Sequence, residues 1–156
     1  MKFNKTIFTL LVCAAMMMST RSASAANTKV DLIQDVAPGG VGAIDMAGDT
    51  GFGFINFNQN ANGDLRVTIS LKNASPNTEY NGVFLVCGPT HATACGFVDV
   101  GDMTTNNQGN ANATMMLSTS FLNDEFGSGA KTDHFDLIGN GSGDVYVASG
   151  IDYIVP

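Results

Sequence analysis

In the segment Leu65-Arg66-Val67-Thr68-Ile69-Ser70-Leu71-Lys72, four apolar residues alternate strictly with four polar ones. Side chains of a strand point alternately to its two faces, so this period of two predicts a strand with one face on a core and one in water. Antiparallel sheets commonly divide their faces this way. Upstream, Gly51 to Phe57 is rich in aromatics and predicts the preceding strand. The connection Asn58-Gln59-Asn60-Ala61-Asn62-Gly63-Asp64 contains Asn-Gly, a strong short-range hairpin signal. Downstream, Asn73-Ala74-Ser75-Pro76-Asn77-Thr78 supplies turn chemistry, and Glu79 to Cys87 predicts another strand.

The pattern continues to the C-terminus. Phe97 to Met103 leads into an Asn/Gly-rich turn at 104–110, and Ala111 to Leu117 returns as its partner. Residues 121–132 look irregular, with one short helical turn around Leu122 to Phe126. His134 to Ile138, Val145 to Ala148 and Ile151 to Val155 predict closing strands, separated by 139–143 and by Ser149-Gly150. Val30 to Ile33 and Val41 to Met46 add two near the start. About 8–9 short strands at regular spacing predict an all-β chain, an antiparallel β-sandwich of immunoglobulin-like or Greek-key type, in preference to a barrel.

The first residues carry a different signal. Lys2 and Lys5 precede an apolar run from Ile7 to Met18, and Ala23-Ser24-Ala25 follows as a small-x-small cleavage pattern. Residues 1–25 therefore read as a signal peptide and 26–156 as a single domain, secreted to the periplasm or the extracellular space. The apolar run is shorter than the ~20 residues of a membrane-spanning helix, so no membrane insertion is expected. Cleavage removes Lys2, Lys5 and Arg21 but no acid, which takes the formal charge from −7 to about −10. A chain so acidic lacks the clustered basic footprint of nucleic-acid binding.

Cys87 and Cys95 are the only cysteines after residue 25. In Cys87-x3-His91-x3-Cys95 the equal spacing admits a metal, redox or disulfide reading. Gly88-Pro89 opposes the helix that would align the three side chains. A structural zinc site also needs four ligands, and the C-x-x-C spacing of redox pairs is missing. A disulfide closing a loop between two strands is the expectation, in keeping with an oxidising compartment.

The order LRVTISL, NASPNTEY, an apolar strand, then GDMTTNNQGNANATMML resembles small exported bacterial β-sandwich domains. In those, a PNT-x-Y corner precedes a G-x-x-x-TN-x-x-G hairpin. The layout is also similar to CHRD and copper/zinc superoxide dismutase-like sandwiches. The likeness spans about Gly51 to Leu117 and implies a sandwich fold. It implies no metal site, because the dismutases use a cluster of histidines and only His91 and His134 are present here. Read directly, Pro76 and Tyr80 form a structural corner: Pro76 fixes the backbone, and the Tyr80 hydroxyl reaches a backbone group while its ring is buried.

Candidate chemistry is sparse. Asn58, Asn60, Asn62 and Asp64 echo the first half of a calcium-binding EF-hand loop, but Asn stands at its first position and Ile69 at its twelfth. This makes a weak calcium candidate beside the simpler Asn-Gly hairpin, and no other cofactor is expected. Asp133, His134 and Asp136 set a titratable ring among carboxylates, the one constellation suited to hydrolysis. Ser142 in Gly139-Asn140-Gly141-Ser142-Gly143 departs from a nucleophile elbow at Asn140. Phe52, Phe54, Phe57, Phe84, Phe97, Phe121 and Phe135 read mostly as core. No catalytic residue is assigned. The expectation is a secreted, non-enzymatic module for adhesion, matrix or ligand binding, with a protein or glycan as partner. A self-assembling surface or filament subunit is the alternative, a homo-oligomer in which Asn27 to Val36 completes a neighbour's sheet. A hydrolase using Asp133, His134 and Asp136 is the third reading.

Overall fold

The alternation in Leu65–Leu71 becomes a strand whose Leu65, Val67 and Ile69 are fully buried while Arg66 is exposed. The computed structural model describes residues 28–35, 50–90 and 95–156. These form β1 (Thr28–Asp35), β2 (Thr50–Gln59), β3 (Leu65–Leu71), β4 (Glu79–Cys87), β5 (Cys95–Thr104), β6 (Ala111–Leu117), α1 (Thr119–Phe126), β7 (Lys131–Gly139) and β8 (Val145–Ile154). The signal-peptide reading, His91 and the strand expected at 41–46 lie outside the described residues.

The fold is an all-β antiparallel sandwich. Its eight described strands make one continuous sheet in the order β5-β4-β7-β8-β1-β2-β3-β6. The sheet folds over so that β5-β4-β7-β8 faces β1-β2-β3-β6. Aromatic rings fill the space between the layers, which is where burial of apolar area contributes most. Phe57 of β2 lies edge-on to Phe84 of β4 and Phe135 of β7, with centroids 6.0 and 6.5 Å apart. Phe52 meets Tyr146 of β8 at 4.8 Å. The layers join where Ile33, Gln34 and Asp35 pair with Val147, Tyr146 and Val145. On the opposite side β5 and β6 are not hydrogen-bonded to one another, so the described strands do not close into a barrel.

Three expectations change. Ser149-Gly150 does not separate two strands: β8 runs through it, with Gly150 at φ 76°. His134 pairs with Ser149 and Thr132 with Tyr153, so three residues of β8 face one of β7 in a bulge. The single helical turn is a helix of eight residues, Thr119–Phe126. Ser118 caps it by accepting the Phe121 N–H, and Gly127 at φ 85° ends it. The irregular stretch ends early, since β7 begins at Lys131.

Candidate binding face

Most of the polar residues singled out in the sequence hold the backbone. At the corner, the Tyr80 hydroxyl accepts the Ser75 N–H at 3.2 Å and donates to Asp144 Oδ2 at 3.1 Å. The Ser75 hydroxyl donates to the same carboxylate oxygen. Thr105 Oγ1 donates to Ser75 O at 2.7 Å and accepts the Thr78 N–H at 2.9 Å. Backbone bonds from Ala74 to Gly109 and from Asn77 to Asn106 fasten the corner to the following hairpin. The PNT-x-Y and TN-x-x-G segments are thus one joint. Pro76 is exposed at its tip and Tyr80 is fully buried. Burial, followed by the charge of Asp144, raises the Tyr80 phenol above its ordinary value.

Asn60 and Asn106 head two turns of the same build. Asn60 Oδ1 accepts the N–H groups of Asn62 and Asp64 at 2.9 and 3.0 Å. Asn106 Oδ1 accepts those of Gln108 and Asn110 at the same distances. Asp64 Oδ1 accepts the first N–H of the helix, from Thr119, at 3.0 Å, and its Oδ2 takes the Asn60 amide at 3.2 Å. Asn58 stands apart in β2, opposite Arg66. In the weak calcium candidate, therefore, Asn60 and Asp64 have oxygens engaged by donors within the turn, while Asn58 belongs to β2.

Cys87 and Cys95 face each other in the β4–β5 register and are disulfide-bonded, with Cα atoms 4.1 Å apart. Among the described residues, no group of three or more His, Cys, Asp and Glu gathers where a metal ion would sit. No helix among them is long and apolar enough to cross a membrane.

His134 and Asp136 share one face of β7, as alternation predicts, with Nε2 2.7 Å from Oδ1. It is the face opposite core Phe135. The contact does not meet hydrogen-bond geometry, and neither atom has another hydrogen-bond partner among the described residues. Both side chains are buried, at 4% and 2% exposure. Ser149, which sequence reasoning left aside, lies across from His134 in β8. The Asp133 side chain is outside the described set, and Ser142 is exposed, its hydroxyl accepting the Asp144 N–H.

Chemistry that faces solvent is found on the outer side of β1-β2-β3-β6. Register aligns Asp31, Phe54, Ser70 and Asn112 in one row and Lys29, Asn56, Thr68 and Thr114 in the next. Phe54, Asn56, Thr68, Ser70, Asn112 and Thr114 line a shallow depression of about 360 Å³. Lys29 Nζ sits 4.2 Å from the centre of the Phe54 ring at its rim. The floor is uncharged, with hydroxyls and amides around the partly buried Phe54 ring and with Ile69 and Ala113 between them. Of the seven phenylalanines considered above, Phe57, Phe84 and Phe135 are core and Phe52 packs against it, whereas Phe97 and Phe121 are exposed. This face was present in the sequence as the polar half of the alternating strands. Only the register shows that the polar residues form rows. No family model, no curated protein and no solved structure matches the chain.

Proposed function

We propose that this chain is an exported, non-enzymatic binding module that holds a neutral, hydroxyl-rich polymer, a glycan, against the outer face of β2, β3 and β6. The observation that carries this reading is the depression itself. Asn56, Thr68, Ser70, Asn112 and Thr114 offer donors and acceptors in two rows, beside the Phe54 ring. Neutral groups of this kind match sugar hydroxyls, and a partly buried ring that keeps some exposure suits the apolar side of a pyranose. The strong negative charge elsewhere disfavours acidic polymers.

Affinity electrophoresis through gels containing neutral polysaccharides tests the proposal. Migration of the chain is expected to be retarded, and Asn112→Ala to weaken binding roughly tenfold, about 1.4 kcal/mol. Phe54→Ala should abolish the retardation. Unretarded migration in cellulose derivatives, xylan, dextran and mannan alike would refute the reading. Hydrolysis through His134 and Asp136 is favoured only by their close approach; His134→Ala leaving any hydrolytic activity intact would eliminate it.

A further inference from the structure

Among the described residues the sheet ends in two strands with one neighbour each, β5 and β6, and the two differ in regularity and in charge. β5 is interrupted. Gly82 pairs with Gly101 and Val83 with Asp99, so Val100 is an extra residue in a bulge. Asp99 and Asp102 charge the same strand, and Cys95 ties its first residue to β4.

β6 has none of these guards. Its seven residues, Ala111–Leu117, pair with β3 in unbroken register. It contains no charged residue, proline or glycine, and the charge-free run extends from 103 to 123 in a chain with fourteen acids. Two large apolar side chains stand exposed there, Met116 on the strand at 46% and Phe121 just beyond it on α1 at 46%.

We infer that the free edge of β6 is a self-association edge, where a second copy of this chain adds its own β6 antiparallel to form a continuous sheet across a two-fold axis. The electrostatics select this occupant. Two copies of so acidic a chain, at a formal charge of −7 each, repel wherever their acids meet, and the 103–123 run is where like charges do not face one another. Antiparallel pairing of a strand with its own copy satisfies the outward N–H and C=O groups of both, and β6 to β6 is the pairing that no bulge obstructs. The assembly differs from donation of the N-terminal segment. Thr28–Asp35 already occupies a place inside its own sheet, between β8 and β2.

Sedimentation velocity on the oxidised protein over a range of concentrations is the experiment. The chain is expected to show a concentration-dependent monomer–dimer equilibrium. Met116→Lys, a substitution at an exposed side chain, should raise the dimer dissociation constant at least tenfold. Phe97→Lys, an equally exposed position on β5, should leave it within twofold. Circular dichroism and thermal melting of both variants confirm that each is folded. A wild-type chain that stays monomeric throughout overturns the inference, as does a folded Met116→Lys variant that dimerises like wild type. Loss of the dimer in Phe97→Lys alone would assign the contact to β5 and also overturn it.

Discussion

Replacing Tyr80 with Phe removes a single oxygen from the joint that fastens two distant turns. That hydroxyl accepts the Ser75 N–H and donates to Asp144, while its ring sits 5.7 Å from that of Tyr146 and is unaffected by the change. A neutral hydrogen bond contributes about 1 kcal/mol net and one to a carboxylate about 1.5–3 kcal/mol. Asp144 keeps the Ser75 hydroxyl, and half-buried Ser75 lets water reach the freed N–H. The cost of Tyr80→Phe should accordingly fall near 2 kcal/mol. Tyr80→Ala also empties the ring's site and should cost at least a further ~3 kcal/mol. Guanidinium unfolding of the oxidised protein reads both: the midpoint moves and the slope does not. In a double-mutant cycle, Tyr80→Phe with Asp144→Asn should show a coupling above about 0.5 kcal/mol. A Tyr80→Phe variant within about 0.5 kcal/mol of wild type would show that the corner is held by packing alone.

Further outcomes follow from the same geometry. Gly109→Ala sets a Cβ 1.9 Å from the Ala74 carbonyl oxygen at a φ of 75°, whereas at Gly63, φ 89°, the nearest atom is a Thr119 hydroxyl at 3.3 Å. Although the two turns are alike, Gly109→Ala should destabilise by several kcal/mol and Gly63→Ala by about 1 kcal/mol, as denaturant midpoints would show. Reducing the Cys87–Cys95 bond, whose sequence separation is 8, should lower stability by about 2.6 kcal/mol through loop entropy, and a thiol assay on the unreduced, denatured protein should find no free thiol on either residue. Burial, ahead of other causes, raises the phenols of Tyr80, Tyr146 and Tyr153 above 10.0. The unfolded chain releases those protons near pH 10 while the folded one keeps them. Stability is then intact below pH 10 and falls as pH rises from there through the folded values, by at most about 4 kcal/mol per pH unit for three groups. Tyrosinate absorbance should appear together with loss of the circular dichroism signal; ionisation in the folded state would contradict the burial argument.

Strands with clean alternation, above all Leu65–Leu71, were legible because a period of two leaves few other solutions. The Asn-Gly turn and the Cys87–Cys95 staple were equally local signals. What escaped was non-local. Asp144, which receives both Tyr80 and Ser75, lies more than sixty positions from either, and nothing near it marks it as their partner. Ser149-Gly150 reads as a turn because Gly punctuates both turns and bulges, and only the facing strand distinguishes them. The extent of α1 was missed because its first turn, Thr119-Ser120-Phe121, has little helix propensity, and its start is held by Asp64 from another element. The binding face was hidden for a related reason. Each strand displays its polar half, but the alignment of Thr68 with Thr114 and of Ser70 with Asn112 depends on register.

The pairing of β1 with β8 sets an order of events. Thr28–Asp35 precedes every other described strand in any vectorial synthesis or export, yet one of its two neighbours is Val145–Ile154, the last described strand in sequence order. Half of its edge stays open until Val145–Ile154 arrives. A nascent molecule halted before residue 145 therefore carries an unfilled slot beside β1, where a chaperone can act before native closure.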